Sequence, residues 1–129
     1  MGTILRVKCT GCGYEEQLRL GCGIRDNRPE QVSVYFGEVQ KEEIDRLFMA
    51  DKTAYTWNYR RMTGSCEKCR RLREIPVLSV FWKNGERKII KGDCDCGNPV
   101  TKIYEGEGEQ MVCPRCEHIL LKEETGYWD

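Results

Sequence analysis

Histidine is almost absent from the sequence, because His118 is the only one among 129 residues. Catalytic zinc sites keep one ligand position open and commonly use histidine. The metalloprotease and zinc-deaminase signatures also need a histidine at a fixed distance from a glutamate. The sequence lacks a phosphate-binding loop of the type Gly-x-x-x-x-Gly-Lys-Ser/Thr as well. We therefore predict no catalytic residues and expect that the protein is not an enzyme.

Long apolar stretches are missing too. No segment approaches the roughly 18 apolar residues that cross a membrane, and the opening residues 1–6 lack the apolar run of a signal peptide. We expect a cytoplasmic protein without a membrane partner. In a reducing cytosol, paired cysteines are more often metal ligands than disulfides.

The formal net charge is zero, since 21 Lys and Arg balance 21 Asp and Glu. This balance argues against a strong general attraction to nucleic acid. The distribution is uneven, however: residues 1–93 carry 18 basic and 13 acidic side chains, whereas residues 94–129 carry 3 and 8. Such an asymmetry can mark a basic binding face in the first segment, but it can also be incidental.

Cysteine, in contrast, is abundant, and eight of the nine cysteines form close pairs. In chain order these are the first pair Cys9/Cys12, the second pair Cys66/Cys69, the third pair Cys94/Cys96 and the fourth pair Cys113/Cys116. Structural zinc takes four tetrahedral ligands and favours thiolates. Four pairs therefore predict two four-cysteine sites with two zinc ions, and iron is the alternative metal. Glycine, which tolerates positive φ, follows the first and third pairs as Gly13 and Gly97, whereas Arg70 and Glu117 follow the other two.

The spacing of the pairs predicts how they combine. Sixteen residues separate the third pair from the fourth, a spacing typical of a zinc ribbon, so we predict that these two pairs form one site. The first and second pairs would then form the other site around a 53-residue insertion. The alternative combines the second pair with the third. Cys22 has no close partner and is predicted to be a small buried residue, while His118 finds no vacancy beside a full cysteine set and is expected to be a surface or structural residue.

The remaining pattern predicts a mainly β fold with one short helix, built as small zinc-ribbon hairpins around two four-cysteine zinc sites. The helix is predicted over 39–50, with Ile44, Leu47 and Phe48 on one face. Asn84-Gly85 predicts a tight hairpin turn, and 21–30 is predicted to be a loop. Strands are predicted over 4–8, 14–20, the alternating Val32, Val34 and Phe36, 55–59, 75–82, 87–91, 100–104 and 109–113, with the last two joined by a turn at 105–108.

The cysteine turns also carry a resemblance. Cys-Asp-Cys-Gly at 94–97, Cys-Pro-Arg-Cys at 113–116, Lys-Cys-Thr-Gly-Cys-Gly-Tyr at 8–14 and Leu-Gly-Cys-Gly at 20–23 resemble small bacterial zinc-ribbon proteins with rubredoxin-like knuckles. The resemblance covers the two ends of the chain and implies a fold and a metal rather than a function. We divide the chain into an N-terminal zinc-knuckle region with an inserted helix and strands, over 1–93, and a C-terminal zinc ribbon, over 94–129.

A candidate nucleic-acid surface lies within 55–73. Tyr55, Trp57 and Tyr59 share one face of a predicted strand, where exposed rings could stack on unpaired bases. The basic residues that could contact phosphate are Arg60, Arg61, Lys68, Arg70, Arg71 and Arg73. The alternative is that the rings form core and that the cations balance the negative charge of a four-thiolate zinc site.

Three hypotheses for function follow from the sequence. The first is a zinc-binding, non-catalytic interaction module that acts as a protein–protein adaptor. The second is a zinc-ribbon protein that binds single-stranded RNA or DNA, and the third is a redox or metal-handling protein. We expect a protein partner, with nucleic acid as the alternative, and no small-molecule substrate.

Overall fold

Two antiparallel sheets dominate the computed structural model, which describes residues 2–50, 53–105 and 109–129. This confirms the prediction of a mainly β protein, in which the one predicted short helix is accompanied by a second, single-turn helix and two 3₁₀ turns. The strands are β1 (Gly2–Lys8), β2 (Glu15–Leu20), β3 (Tyr55–Cys66), β4 (Arg71–Trp82), β5 (Arg87–Lys91), β6 (Lys102–Tyr104) and β7 (Leu121–Trp128). The α-helices are the single turn α1 (Pro29–Val32) and the longer α2 (Glu38–Met49). No helix among the described residues has the length and apolar content needed to cross a membrane.

The first sheet joins the two ends of the chain. Its strand order is β2-β1-β7. β1 and β2 form the predicted hairpin around the first cysteine pair, with Lys8 opposite Glu15. β7 pairs with the other edge of β1, from Gly2 opposite Trp128 to Lys8 opposite Leu121. This pairing brings the segment just before β7, which holds the fourth cysteine pair, next to the first.

The second sheet is a long hairpin with short strands at both edges, in the order β5-β4-β3-β6. β3 and β4 stay in register over their whole length, from Tyr55 opposite Trp82 to Cys66 opposite Arg71. The turn into β5 includes Gly85 at φ +92°, as Asn84-Gly85 predicts. The hairpin therefore places the second cysteine pair at one end and the β4–β5 turn at the other.

Helix α2 covers one face of the second sheet. Ile44 and Phe48 are buried and Leu47 is partly buried against the same core, so the predicted apolar face is confirmed. The Phe48 ring lies 5.3 Å from that of Trp57, and Leu78 is fully buried in the same cluster. A helix with one apolar stripe must bury it against another element, and the aromatic side of β3 provides that surface.

The prediction of a strand at Val32, Val34 and Phe36 is wrong, because this segment is helical. Pro29 is the first residue of α1, a position that proline favours, and a 3₁₀ turn, Ser33–Tyr35, follows. Val32 and Phe36 are buried, whereas Val34 is 57% exposed. Burial at a spacing of four is helical rather than alternating. The loop predicted over 21–30 also contains a 3₁₀ turn, Ile24–Asn27.

The hairpin predicted between 100–104 and 109–113 is also wrong. β6 pairs instead with β3, with Ile103 opposite Gly64, and Val112 bridges to Ile119. The two halves of the predicted hairpin therefore pair with different partners and not with each other. Each lies near a different one of the two cysteine clusters described below. Of the predicted turn, residues 106–108 lie outside the described part of the chain.

The two sheets share side chains at their junction. Leu72 of β4 is fully buried in the core cluster that contains β1 and β2 residues, and its backbone N–H donates to the Tyr14 hydroxyl over 2.8 Å. Gly21 exchanges two backbone hydrogen bonds with Arg61, of 2.9 and 2.7 Å. These contacts fix one sheet against the other.

Candidate metal centres

Eight cysteines gather into two clusters of four sulfurs. Cluster 1 consists of Cys9, Cys12, Cys113 and Cys116, and cluster 2 consists of Cys66, Cys69, Cys94 and Cys96. Within each cluster all four Sγ atoms lie within 4.8 Å of one another. The ninth cysteine, Cys22, packs partly buried against the core beneath α2.

The sulfur–sulfur distances fit a tetrahedral metal site. In cluster 1 the Sγ atoms of Cys9 and Cys116 are 3.2 Å apart. In cluster 2 the Sγ atoms of Cys66 and Cys96 are 3.6 Å apart, and Cys69 lies 3.7 Å from Cys94. A disulfide would bring two sulfurs to about 2.05 Å, whereas four thiolates at about 2.3 Å from one zinc ion lie about 3.8 Å apart. The donor set therefore fits a metal ion in each cluster.

The predicted combination of the pairs is wrong, and the alternative is the observed one. The first pair joins the fourth, and the second joins the third. The cause is the strand pairing: β7 lies beside β1, so the turn before β7 meets the β1–β2 turn, while β5 returns along β4 toward the second pair. The third and fourth pairs thus do not form a zinc-ribbon site together. The division of the chain at residue 93 stays a prediction, although strands from both sides of it pair in each sheet.

Each pair is held by a turn with a left-handed residue after its second cysteine. Gly13 and Gly97 have φ of +80° and +86°, and Arg70 and Glu117 have φ of +53° and +66°. The N–H of this residue donates to the carbonyl of the first cysteine in three of the turns, as in Glu117 to Cys113 at 3.0 Å. Non-glycine residues are strained in this region, so the second and fourth turns form at a cost that glycine avoids.

The same turns direct N–H groups at the sulfurs. The backbone N–H of Cys69 lies 3.4 Å from the sulfur of Cys66, and the Asn98 side chain donates to Cys96 over 3.3 Å. The Asn98 hydrogen bond lowers the pKa of Cys96 to about 6. In cluster 1 the backbone N–H of Cys12 lowers the pKa of Cys9 to about 6.

The thiols of one cluster do not all ionise easily together. The hydrogen bond with Cys96 raises the pKa of Cys69 to about 12, because a thiol that donates to a neighbouring thiolate keeps its proton. Four thiolates in one place need a cation to offset their charge, and a bound metal ion removes the protons outright. The chemistry of the donor set thus points to a metal with strong thiolate affinity.

His118 adds a contact to cluster 1 beyond its four sulfurs. Its Nδ1 lies 3.1 Å from the sulfur of Cys116. The ring also lies against Gly11 of the opposing turn, where an added Cβ would come within 2.8 Å of Nδ1. His118 is exposed, which agrees with its prediction as a surface or structural residue. Asn98 is a sulfur-contacting residue that was not predicted, and its position two residues after Cys96 is the signal that could have identified it.

Two arginines join the clusters to each other. The guanidinium of Arg70 donates to the carbonyl of Arg115 over 2.8 Å, and Arg115 donates back to the carbonyl of Arg70 over 3.3 Å. Arg70 follows the second pair, and Arg115 lies between the cysteines of the fourth. The Arg115 guanidinium also lies 4.8 Å from the centre of the Tyr14 ring. The turn of the second cysteine pair, in cluster 2, is therefore hydrogen-bonded directly to the turn of the fourth pair, in cluster 1.

The three aromatic residues of the candidate nucleic-acid surface do not form an exposed row. Tyr55 and Tyr59 are 7% and 2% exposed, and Trp57 is partly buried against Phe48. The alternative weighed for these rings, that they form core, describes their position. They point toward α2 and away from solvent.

Most of the basic residues proposed with them have partners within the protein. Arg71 pairs with Glu16 at 2.8 Å, Arg73 with Asp95 at 3.5 Å, and Arg61 with Glu74 at 3.7 Å. Arg70 is engaged by Arg115, as described above. Arg60 and Lys68 are exposed. Four of the six cations thus contact other residues of the protein, whereas Arg60 and Lys68 face solvent. Arg60 also lies away from the cysteine turns.

Comparison with family models, curated proteins and solved structures found no match to the chain. The two cysteine clusters are consistent with zinc-ribbon-like sites.

Proposed function

We propose that this protein is a non-catalytic interaction module, held together by two structural zinc ions, that acts as a protein–protein adaptor. The observation that carries the proposal is the pair of complete four-thiol sets. A full set of four protein ligands is typical of structural zinc, because catalytic zinc needs a position for water or substrate. Reduced cysteines also favour a cytoplasmic location.

The adaptor role is supported by an exposed apolar patch beside cluster 1. Val112, Ile119 and Leu121 are 37%, 56% and 61% exposed. Val112 and Ile119 lie directly opposite each other, and Leu121 follows on the same side of the chain, two residues on. Apolar side chains grouped on a rigid surface are a common anchor for a protein partner. We call these three residues the apolar patch.

Metal analysis tests the zinc proposal. Protein purified without added metal should carry two zinc equivalents, and a folded protein with one equivalent or fewer would contradict it. Iron in four-thiolate sites would appear as a coloured protein with iron in place of zinc, which would replace the metal but leave the clusters intact.

A matched pair of variants tests the adaptor role. Crosslinking in the native host should yield a protein partner with the unaltered chain and lose it with Ile119→Asp/Leu121→Asp. The control, Tyr127→Asp, alters a residue that is 71% exposed on the same strand, β7, and should keep the partner. Equal recovery with both variants, each carrying two metal ions, would refute docking through the apolar patch.

A further inference from the structure

The second sheet has another face, opposite α2, and one end of it is open. In β3 the odd-numbered residues from 55 to 59 point toward α2, so Thr56, Asn58 and Arg60 point the other way. All three are exposed. On the same side of the neighbouring strands, Phe81 and Ile89 are 45% and 48% exposed. We call this side of 56–60, 77–81 and 87–91 the outer face.

The strand register defines the rows of the outer face. Phe81 lies opposite both Thr56 and Arg87, and Ser79 lies opposite both Asn58 and Ile89. A third row holds Arg60 and Lys91, with Val77 between them. Adjacent strands are about 4.8 Å apart and successive rows about 7 Å apart. The face therefore has an exposed ring in its first row and cations around it, while Val77 in its third row is buried.

Charge on the outer face has one sign. Its cations are Arg60, Arg87 and Lys91, all exposed, and the ranges 56–60, 77–81 and 87–91 contain no Asp or Glu. Within the described parts of the chain these three cations form no ion pair. In contrast, Lys88, on the other side of β5, pairs with Glu43 of α2. The acidic residue after β5, Asp93, is 3.5 Å from Gln40 of the same helix.

The chemistry of the face selects among polyanions. The hydrogen bonds that join β3, β4 and β5 lie in the plane of the sheet, so a peptide lying on the face, rather than along an edge, could not add to the sheet as a strand. An acidic peptide would use the cations alone. A single-stranded nucleic acid would also use the Phe81 ring, because unpaired bases stack on exposed aromatic side chains. Asn58, Ser79 and Thr56 supply donors and acceptors for base edges. A duplex hides its base faces and would leave the ring unused.

We propose that the outer face binds single-stranded nucleic acid, with Phe81 stacking on a base and Arg60, Arg87 and Lys91 contacting phosphates. This surface lies on the side of β3 opposite the buried aromatic residues, and it goes beyond the adaptor role. The protein would then join a single strand, held on the outer face, to a protein partner held elsewhere. The proposal depends on the zinc-held fold but not on the identity of the protein partner.

Titration of a fluorescein-labelled oligouridine of about ten nucleotides tests the proposal, with zinc content measured in every sample. Three phosphate contacts give a slope of about −2 in log affinity against log salt, so a fourfold rise in salt should weaken binding about 20-fold. The triple variant Arg60→Gln/Arg87→Gln/Lys91→Gln should lose most of this salt dependence and bind at least about tenfold more weakly at low salt.

The matched control removes the same charge from elsewhere. Lys41→Gln/Arg46→Gln/Lys88→Gln changes three cations of α2 and of the opposite side of β5 and should keep the native affinity. A similar loss in both triple variants would show attraction to net charge alone and would overturn the proposal.

Ring chemistry distinguishes a nucleic acid from an acidic peptide. Phe81→Ala should weaken oligouridine binding between about 5-fold and 150-fold, and Phe81→Tyr should restore it. Polyglutamate and duplex of equal length should bind much more weakly than the single strand. Equal binding of polyglutamate, or no effect of Phe81→Ala, would overturn the proposal. So would an absence of binding in protein with two zinc ions, whereas protein without zinc would contradict the proposed function instead.

Discussion

The division of the eight cysteines into clusters can be tested by combining single changes. Cys12 and Cys116 belong to cluster 1, whereas Cys69 belongs to cluster 2. Cys12→Ser/Cys116→Ser therefore damages one site and should leave one zinc ion. Cys12→Ser/Cys69→Ser damages both sites and should leave none. The combination based on spacing along the sequence predicts the reverse, because it assigns Cys12 and Cys69 to one site and Cys116 to the other.

The magnitude of the effect is large enough to read without ambiguity. Structural zinc in a small domain contributes roughly 10–16 kcal/mol of binding free energy, which exceeds the ~5–15 kcal/mol net stability of a typical domain. The clusters also close loops of different size, since Cys9 and Cys116 are 107 positions apart and Cys66 and Cys96 are 30 apart. The longer loop adds about 1 kcal/mol of closure entropy to the loss of cluster 1.

Competition with a chromogenic chelator measures the zinc that each variant retains, and far-ultraviolet circular dichroism follows the sheets. Cys12→Ser/Cys116→Ser should keep one tightly bound zinc ion and the second sheet, while the pairing of β7 with β1 is lost. One retained zinc ion in Cys12→Ser/Cys69→Ser, together with none in Cys12→Ser/Cys116→Ser, would refute the observed clusters. The single variant Cys22→Ser is the control and should keep both ions.

Three further changes test the turns and the core by chemical denaturation of the zinc-loaded protein. Glu117→Gly should stabilise the folded protein by about 0.5–1 kcal/mol, because glycine adopts the left-handed backbone conformation without strain. Glu123→Gly in β7 should destabilise the protein, and equal effects of the two changes would show that Glu117 is not strained. Tyr14→Phe should cost about 1–3 kcal/mol because it leaves the buried Leu72 N–H without its acceptor, and an unchanged midpoint would exclude that hydrogen bond. Trp57→Ala should cost about 3 kcal/mol as a partly buried core residue and leave oligouridine affinity intact; a selective loss of affinity would return Trp57 to the binding surface.

The features that sequence predicted correctly are those determined by neighbouring residues. The apolar face of α2 follows from the spacing of Ile44, Leu47 and Phe48 alone. Gly13 and Gly97 adopt the left-handed conformation that the cysteine turns need. The β4–β5 turn likewise depends on Asn84-Gly85 alone. Each of these elements can be worked out without knowing what packs against it.

The combination of the cysteine pairs could not be predicted in the same way, because it depends on long-range strand pairing. Sixteen residues between Cys96 and Cys113 suit a zinc ribbon but do not require one. The deciding contact is that between β1 and β7, whose partners, such as Gly2 and Trp128, are very far apart in the chain. β7 carries charged and exposed residues along most of its length, so its sequence gives little sign of its partner.

The sequence also left open which side of β3 faces solvent. Alternation shows only that Tyr55, Trp57 and Tyr59 share a side, and the same rings suit a core or a stacking surface. α2 decides between them, because its apolar stripe needs a large apolar partner. Because these rings are buried, a binding surface on β3 would have to use the residues of its opposite side, such as Asn58 and Arg60.

The position of the outer face along the hairpin has a consequence for how the protein can be altered. Arg60 is six residues from Cys66 in β3, which is about 20 Å along an extended strand. Between them Met62 and Ile75 are buried beneath Val100 and Ile103, so this part of the same side is closed. The outer face is thus separated from cluster 2 by a packed segment, while the continuous β3–β4 ladder anchors both. Side chains on the outer face can therefore change without altering a cysteine of cluster 2.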